Sequence, residues 1–232
     1  MVGDVLQMNY KHMALGAELS SIAANHPKKR ISISIGGESG SGKSEVAEAL
    51  RDQLRTKGLR VKILHLDNYY KVSPDQRNEH RKAQGMGAVG IHEINWEQVN
   101  SNTDAFYAGD LTSMPYLDLF TNQKDLLYSD LNKIDILLIE GLYACHYPSD
   151  IAVFIDLSYY ETCKAQVTRK KEEMNSCRMQ VLEKERDEVL QTRYMADYFV
   201  TPSFKMVSNI HKNPIPAVPV QSLTALPDGR TI

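Results

Sequence analysis

Residues 31–57 most constrain how this chain can fold. The apolar run ISISI (31–35) leads directly into GGESGSGKSEV, which opens at Gly36. Within it Gly37, Gly42, Lys43 and Ser44 fit the spacing G-x-x-x-x-G-K-[ST]. Residues 44–57 then place Val46, Ala49, Leu50 and Leu54 on one side of a helix, and Gly58 stands where a C-terminal cap would. Strand, glycine loop and helix therefore follow one another without a spacer. The glycines let backbone N–H groups converge on an anion that side chains would keep away. The N-terminus of the helix adds a field that favours negative charge. An ordinary flexible turn accounts for the glycines but not for the strand and helix that flank them. The loop is read as a phosphate cradle built from Gly37, Glu38, Ser39, Gly40, Ser41, Gly42, Lys43, Ser44 and Glu45. Lys43 would reach the β- and γ-phosphates, and the Ser44 hydroxyl would hold Mg²⁺. ATP is the expected nucleotide.

The rest of the chain supplies a matching frame. Residues 5–24 read as an amphipathic helix with Leu6, Met13, Leu19 and Ile22 on one broad face, ended by NHPKKR. LRVKILHL (59–66), DILLIEG (135–141) and IAVFIDL (151–157) are apolar runs of strand length. Helix patterns cover 73–83, 158–173 and 179–199, and Asn95 is placed to cap another that ends near Tyr107. GMGAVG (85–90) reads as a mobile loop, and the proline-rich 213–232 as a surface arm or edge strand. Continuous apolar runs that alternate with helices mark a mainly parallel sheet buried on both faces. The expected class is α/β, three layers α/β/α, as one domain over 1–232 with its core at about 30–205 and a small helical lid at about 164–180.

Composition narrows the function classes. The net charge of −2 gives no global attraction to nucleic acid or to an anionic membrane, so neither is expected as a partner. Asp4, Gln7, Asn9, Lys11 and Glu18 interrupt the first residues, so they do not read as a signal peptide. Cys145, Cys163 and Cys177 lack metal-type spacing and suit a reducing cytoplasmic compartment. Self-association is left open.

Two acids complete the expected site. Asp67 follows the run VKILHL, and Glu140 ends DILLIE. In an open α/β sheet ligands lie beyond the C-terminal ends of the strands. Both carboxylates would face the phosphates there, and Mg²⁺ favours hard oxygen ligands. The plainer alternatives are a turn-forming Asp before Asn68 and a solvated strand end. NKID (132–135) matches a guanine-reading pattern, but it precedes its strand where that motif should follow one, so it is read as the polar lead-in to the run 135–141.

ISISIGGESGSGKS, HLDNYYK, PYLDLFTN, ILLIEGLYA and VFIDLSYYET occur in this order. Together, over about residues 30–205, they resemble the phosphoribulokinase/uridine kinase family of P-loop small-molecule kinases. The resemblance implies transfer of the ATP γ-phosphate to a substrate hydroxyl. It implies that Asp67 is the catalytic base and a Mg²⁺ neighbour, that Glu140 joins the metal site, and that Tyr70 packs on the acceptor; a core-edge aromatic is the plainer reading of Tyr70. The sequence departs from the uridine kinases in GAVGIHEINW (87–96), where Val89 stands in place of a ribose-binding Asp. In their P-x-Y-D-F-x-x-H-x-R pattern Pro115 and Asp118 are kept, while Leu117, Asn122 and Lys124 replace the Tyr, His and Arg. His92, Glu93 and Asp118 are then the candidates for a different acceptor, with a solvated loop as the alternative for His92 and Glu93. Residues 164–178 carry Lys164, Arg169, Lys170, Lys171 and Arg178 against Glu172 and Glu173, an excess of three positive charges. Arg169 and Arg178 are the expected lid cations over the transferring phosphate; a solvated helix face is the alternative. The sequence thus points to a Mg²⁺-ATP-dependent kinase of a small hydroxyl-bearing metabolite. The rivals are a uridine/cytidine kinase with a remodelled pocket and a nucleotide-binding module without phosphotransfer.

Overall fold

The computed structural model describes residues 6–158, 161 and 176–212, with side chains from 179 onward in the last stretch. Helix α1 (Tyr10–Ala24) leads to strand β1 (Ile31–Gly37), helix α2 (Lys43–Thr56) and strand β2 (Val61–His65). Helices α3 (Pro74–Gln84) and α4 (Trp96–Ala108) follow, then the antiparallel hairpin β3 (Leu111–Asp118) and β4 (Gln123–Asp130). Strands β5 (Ile136–Glu140) and β6 (Ile151–Ile155), helix α5 (Ser176–Arg193), and short strands β7 (Tyr198–Val200) and β8 (Met206–Ser208) complete the described order. The main sheet has the order β2-β5-β1-β6-β7-β8, parallel throughout except for β8. Among the described residues no helix is long and apolar enough to cross a membrane.

The strands are apolar on both sides because both sides are covered. In β5, Ile136 and Leu138 pack with Leu15, Leu19, Val46 and Leu50 of α1 and α2, while Leu137 and Ile139 pack with Phe106 of α4 and Val189 of α5. This alternation yields the three layers. Ser32 and Ser34 interrupt the apolar run of β1 and are fully buried. Their hydroxyls are satisfied by Tyr107 OH at 2.8 Å and Ser149 Oγ at 2.7 Å, as burial requires.

Several expectations need correction. The first helix starts at Tyr10 and not at residue 5, because the Asn9 side chain accepts the N–H groups of Lys11 and His12 as an N-cap. Its buried face is His12, Leu15, Gly16, Leu19, Ser20 and Ala23, whereas Met13 is exposed. That face is set by close packing on α2: a Cβ on Gly16 would lie 2.8 Å from the Ala49 carbonyl carbon. The pattern 179–199 breaks at Arg193, and Tyr198–Val200 joins the sheet beside β6. The loop 85–90 is anchored by Val89, which is fully buried. The hairpin β3–β4 and the edge strand β8 had no counterpart in the sequence reading. The helix expected over 158–173 and the arm 213–232 lie outside the described residues, apart from 158 and 161. Asn95 does cap α4, accepting from the Gln98 N–H at 3.2 Å.

Candidate active site

The register of the sheet brings four expected residues to one end. Glu140, at the end of β5, is level with His65 of β2 on one side and with Ile35 of β1 on the other. The glycine loop leaves β1 at this level. Gly37 has φ +144°, and a Cβ there would stand 2.6 Å from the Ile155 carbonyl oxygen. Gly42 has φ +92°, where α2 begins. Lys43 is nearly buried and its Nζ donates to the Glu38 carbonyl oxygen at 2.7 Å, so the ammonium lies folded against the loop. The Ser44 hydroxyl donates to Glu140 Oε2 at 3.3 Å, and His65 Nδ1 lies 2.6 Å from Glu140 Oε1. Burial alone would push the Glu140 carboxyl up. The hydrogen bond and charge of His65 and the charge of Lys43 outweigh it and hold Glu140 below the usual range, so it is an anion at neutral pH. Ser44 and Glu140 thus present an oxygen-only donor pair, a chemistry that fits Mg²⁺.

Asp67 lies in a 3-10 turn, Leu66–Tyr69, two residues beyond the end of β2, and is half-buried. Tyr70 follows and is buried; the Arg77 guanidinium of α3 covers its ring at 3.6 Å from the centroid. Burial pushes the Tyr70 phenol well above its ordinary value, and the charges of Glu185 and Asp67 add to this. His92 is exposed. The Glu93 carboxylate accepts from Arg81 Nε and Nη2 at 2.8 and 2.7 Å and from the Gly90 N–H at 3.0 Å. Asp118 Oδ1 accepts the N–H groups of Phe120 and Thr121, which closes the turn of the β3–β4 hairpin. The structure therefore gathers Lys43, Ser44, Glu140 and the turn of Asp67 at the sheet end. It commits Glu93 to a buried ion pair and Asp118 to a turn. Arg169, with Lys164, Lys170 and Lys171, lies outside the described residues, and Arg178 is described in its backbone alone.

The sequence reading passed over a set of charged residues around this site. Arg81 is buried between Glu93 and Glu185, whose Oε1 is 3.1 Å from Arg81 Nη2. Arg186 Nε pairs with Glu38 of the loop at 3.4 Å. Helix α5 is in this way tied both to the phosphate loop and to the turn that carries Glu93. Burial would lower the Arg81 pKa, but the two carboxylates outweigh it and the guanidinium stays charged. Arg81→Ala would leave two buried carboxylates without their cation, which is expected to cost about 3–5 kcal/mol. Thermal unfolding should then fall by on the order of 10 °C; an unchanged melting curve would show that the ion pairs contribute nothing net. Asp135 of NKID meets Arg60 through Nε at 3.1 Å, ahead of β5 and so at the opposite end of the strand from Glu140 and the loop.

The model of the phosphoribulokinase/uridine kinase family matches residues 32–210. Among curated proteins the chain is similar to a uridine kinase of Mycoplasma pneumoniae, 32% identical over 117 residues, covering 50% of this chain and 53% of that one. The chain spans about half the length of the curated uridine kinases it matches. Among solved structures it is similar to phosphoribulokinase from Rhodobacter spheroides, with a TM-score of 0.56, 12% identity, and coverage of 75% of this chain and 70% of that one. It is also similar to D-glycerate 3-kinase from Cryptococcus neoformans, with a TM-score of 0.55, 12% identity, and coverage of 88% and 100%. At these identities the structural likeness is one of fold.

Proposed function

The chain belongs to the phosphoribulokinase/uridine kinase family, and from that membership we propose that it transfers the γ-phosphate of Mg²⁺-ATP to a hydroxyl of a small metabolite. One observation carries the reading: Ser44 and Glu140 meet at 3.3 Å beside Lys43, at the strand ends from which the Asp67 turn departs. A phosphate-binding loop alone would serve a switch or a motor equally well. A carboxylate at the same sheet end, in no ion pair among the described residues, suits a group that must take a proton.

The chain's own residues divide the work. Backbone N–H groups of 37–44 hold the phosphates, and Lys43 exchanges its bond to the Glu38 carbonyl for a phosphate oxygen. Ser44 and Glu140 would hold Mg²⁺, which when bound neutralises phosphate charge and orients the terminal phosphate. Asp67 accepts the proton of the acceptor hydroxyl as its oxygen bonds to the γ-phosphorus and the bond from that phosphorus to the β,γ-bridging oxygen breaks, leaving ADP. Arg169 and Arg178 keep their proposed place over the transferring group.

A uridine/cytidine kinase is the second reading, favoured by the 32% likeness to a uridine kinase. Against it, Val89 and Leu117 are buried apolar side chains at two positions where that family reads its nucleoside through polar groups. A site loses much of its discrimination when such partners are absent. ATP turnover should be measured with a panel of nucleosides, sugars and pantothenate-like alcohols. We expect an acceptor other than a nucleoside to be phosphorylated and uridine to be poor. A kcat/KM for uridine on the order of 10⁵ M⁻¹s⁻¹, ordinary for an enzyme on its own substrate, would establish the second reading instead.

A further inference from the structure

Two cations converge on Tyr70, and among the described residues neither forms an ion pair. Arg77, on α3, lays its guanidinium on the Tyr70 ring, and its Nε is buried with no hydrogen-bond partner among the described residues. Its Nη2 makes a long hydrogen bond to the Val72 carbonyl oxygen at 3.4 Å. Lys124, from the start of β4, reaches in from the hairpin and donates through Nζ to the Tyr70 carbonyl oxygen. Burial and the charge of Arg77 together lower the Lys124 pKa, as expected for like charges held close.

The carboxylates around Tyr70 are otherwise engaged. Glu93 and Glu185 share Arg81. Among the described residues Asp67 forms no ion pair with Arg77 or Lys124. Holding the half-buried Arg77 and the exposed Lys124 close together costs free energy, and an anion placed between them would reverse the sign of that cost. A guanidinium presents a planar fork that matches carboxylate or phosphate oxygens, and an ammonium adds a compact second charge. Both cations converge on a residue three positions after the proposed base.

From this geometry we infer that Arg77 and Lys124 bind a negatively charged group, a carboxylate or a phosphate, on the acceptor, so that the molecule phosphorylated is an acidic metabolite and not a neutral nucleoside or sugar. The inference rests on the kinase reading above and adds the class of acceptor to it.

Matched pairs test it with the full chain and Mg²⁺-ATP: D-glycerate against glycerol, and ribitol 5-phosphate against ribitol. At least one anionic member should exceed its neutral counterpart in kcat/KM, and which pair shows the preference separates carboxylate from phosphate. Arg77→Met and Lys124→Met should each raise KM for that acceptor about 10- to 100-fold, the loss of one charge-assisted contact. Turnover at saturation, ATP affinity and the melting curve should stay near wild type, and Arg77→Lys should recover part of the loss. Equal use of charged and neutral members, or Met variants that leave KM unmoved, overturns the inference while the kinase reading stands. Transfer to no acceptor at all overturns the kinase reading. Calorimetric titration with D-glycerate and ribitol 5-phosphate then still decides the cation site: binding that Arg77→Met weakens supports it, and no binding, or binding that ignores the substitution, overturns it.

Discussion

Asp67→Asn is expected to lower phosphoryl transfer by about 10²–10⁴-fold while ATP stays bound, the usual worth of a positioned general base. The substitution keeps size and hydrogen-bonding capacity but removes charge and basicity. Asp67 is half-buried in the turn that leaves β2, outside both hydrophobic clusters, so its loss should not disturb packing. The residues proposed to bind ATP belong to another element, the loop after β1. The comparison is calorimetric ATP affinity against the rate of transfer to the best acceptor. A wild-type rate would reduce Asp67 to a turn former and remove the clearest reason to read a kinase.

Lys43→Ala should lower turnover by at least ~10²–10³-fold, the scale of removing one preorganised donor from a developing charge. The loss should extend to nucleotide affinity, because in the proposed role the ammonium serves the bound phosphates as well as the transferring one. Stability should change little. In this structure Lys43 makes a hydrogen bond to the Glu38 carbonyl, a contact worth about 1 kcal/mol, or roughly 2–4 °C for a chain of this size. A folded variant that turns over ATP at the wild-type rate would place the nucleotide elsewhere.

The parts of the fold legible in the sequence are those where one cause acts locally. β5 and β6 are buried on both faces, so their apolar runs are continuous and easily seen. The loop and α2 announce themselves through glycine spacing and a one-sided apolar pattern. The hairpin was hidden because β4 is exposed along nearly its whole length, with Leu126, Leu127 and Tyr128 all open; without a buried face there is no alternation to find. The end of α5 was misplaced because residues 194–199 continue a helix-compatible pattern, and only pairing with Val153–Ile155 makes Tyr198–Val200 a strand.

The candidate site divides in the same way. Asp67, Glu140, Lys43 and Ser44 were legible because strand ends and loop spacing place them without knowledge of the partner. The commitment of Glu93 was not legible. Its cation, Arg81, lies 12 residues earlier, and the second carboxylate on that cation, Glu185, lies 104 residues beyond it. No local pattern joins them; the packing of α3 against α5 does. Tyr70 illustrates the same limit, since it is buried with Arg77 over its ring, a placement no spacing rule would reveal.

The fate of the γ-phosphate tests the central claim most directly. ATP labelled at that position, Mg²⁺ and the preferred acceptor should be incubated with the full chain, and the product examined by phosphorus NMR and mass spectrometry. A phosphate ester on the acceptor hydroxyl, formed in equal amount with ADP, is the expected product. ATP that stays bound and intact across the acceptor panel, or label that appears only as inorganic phosphate, would contradict it.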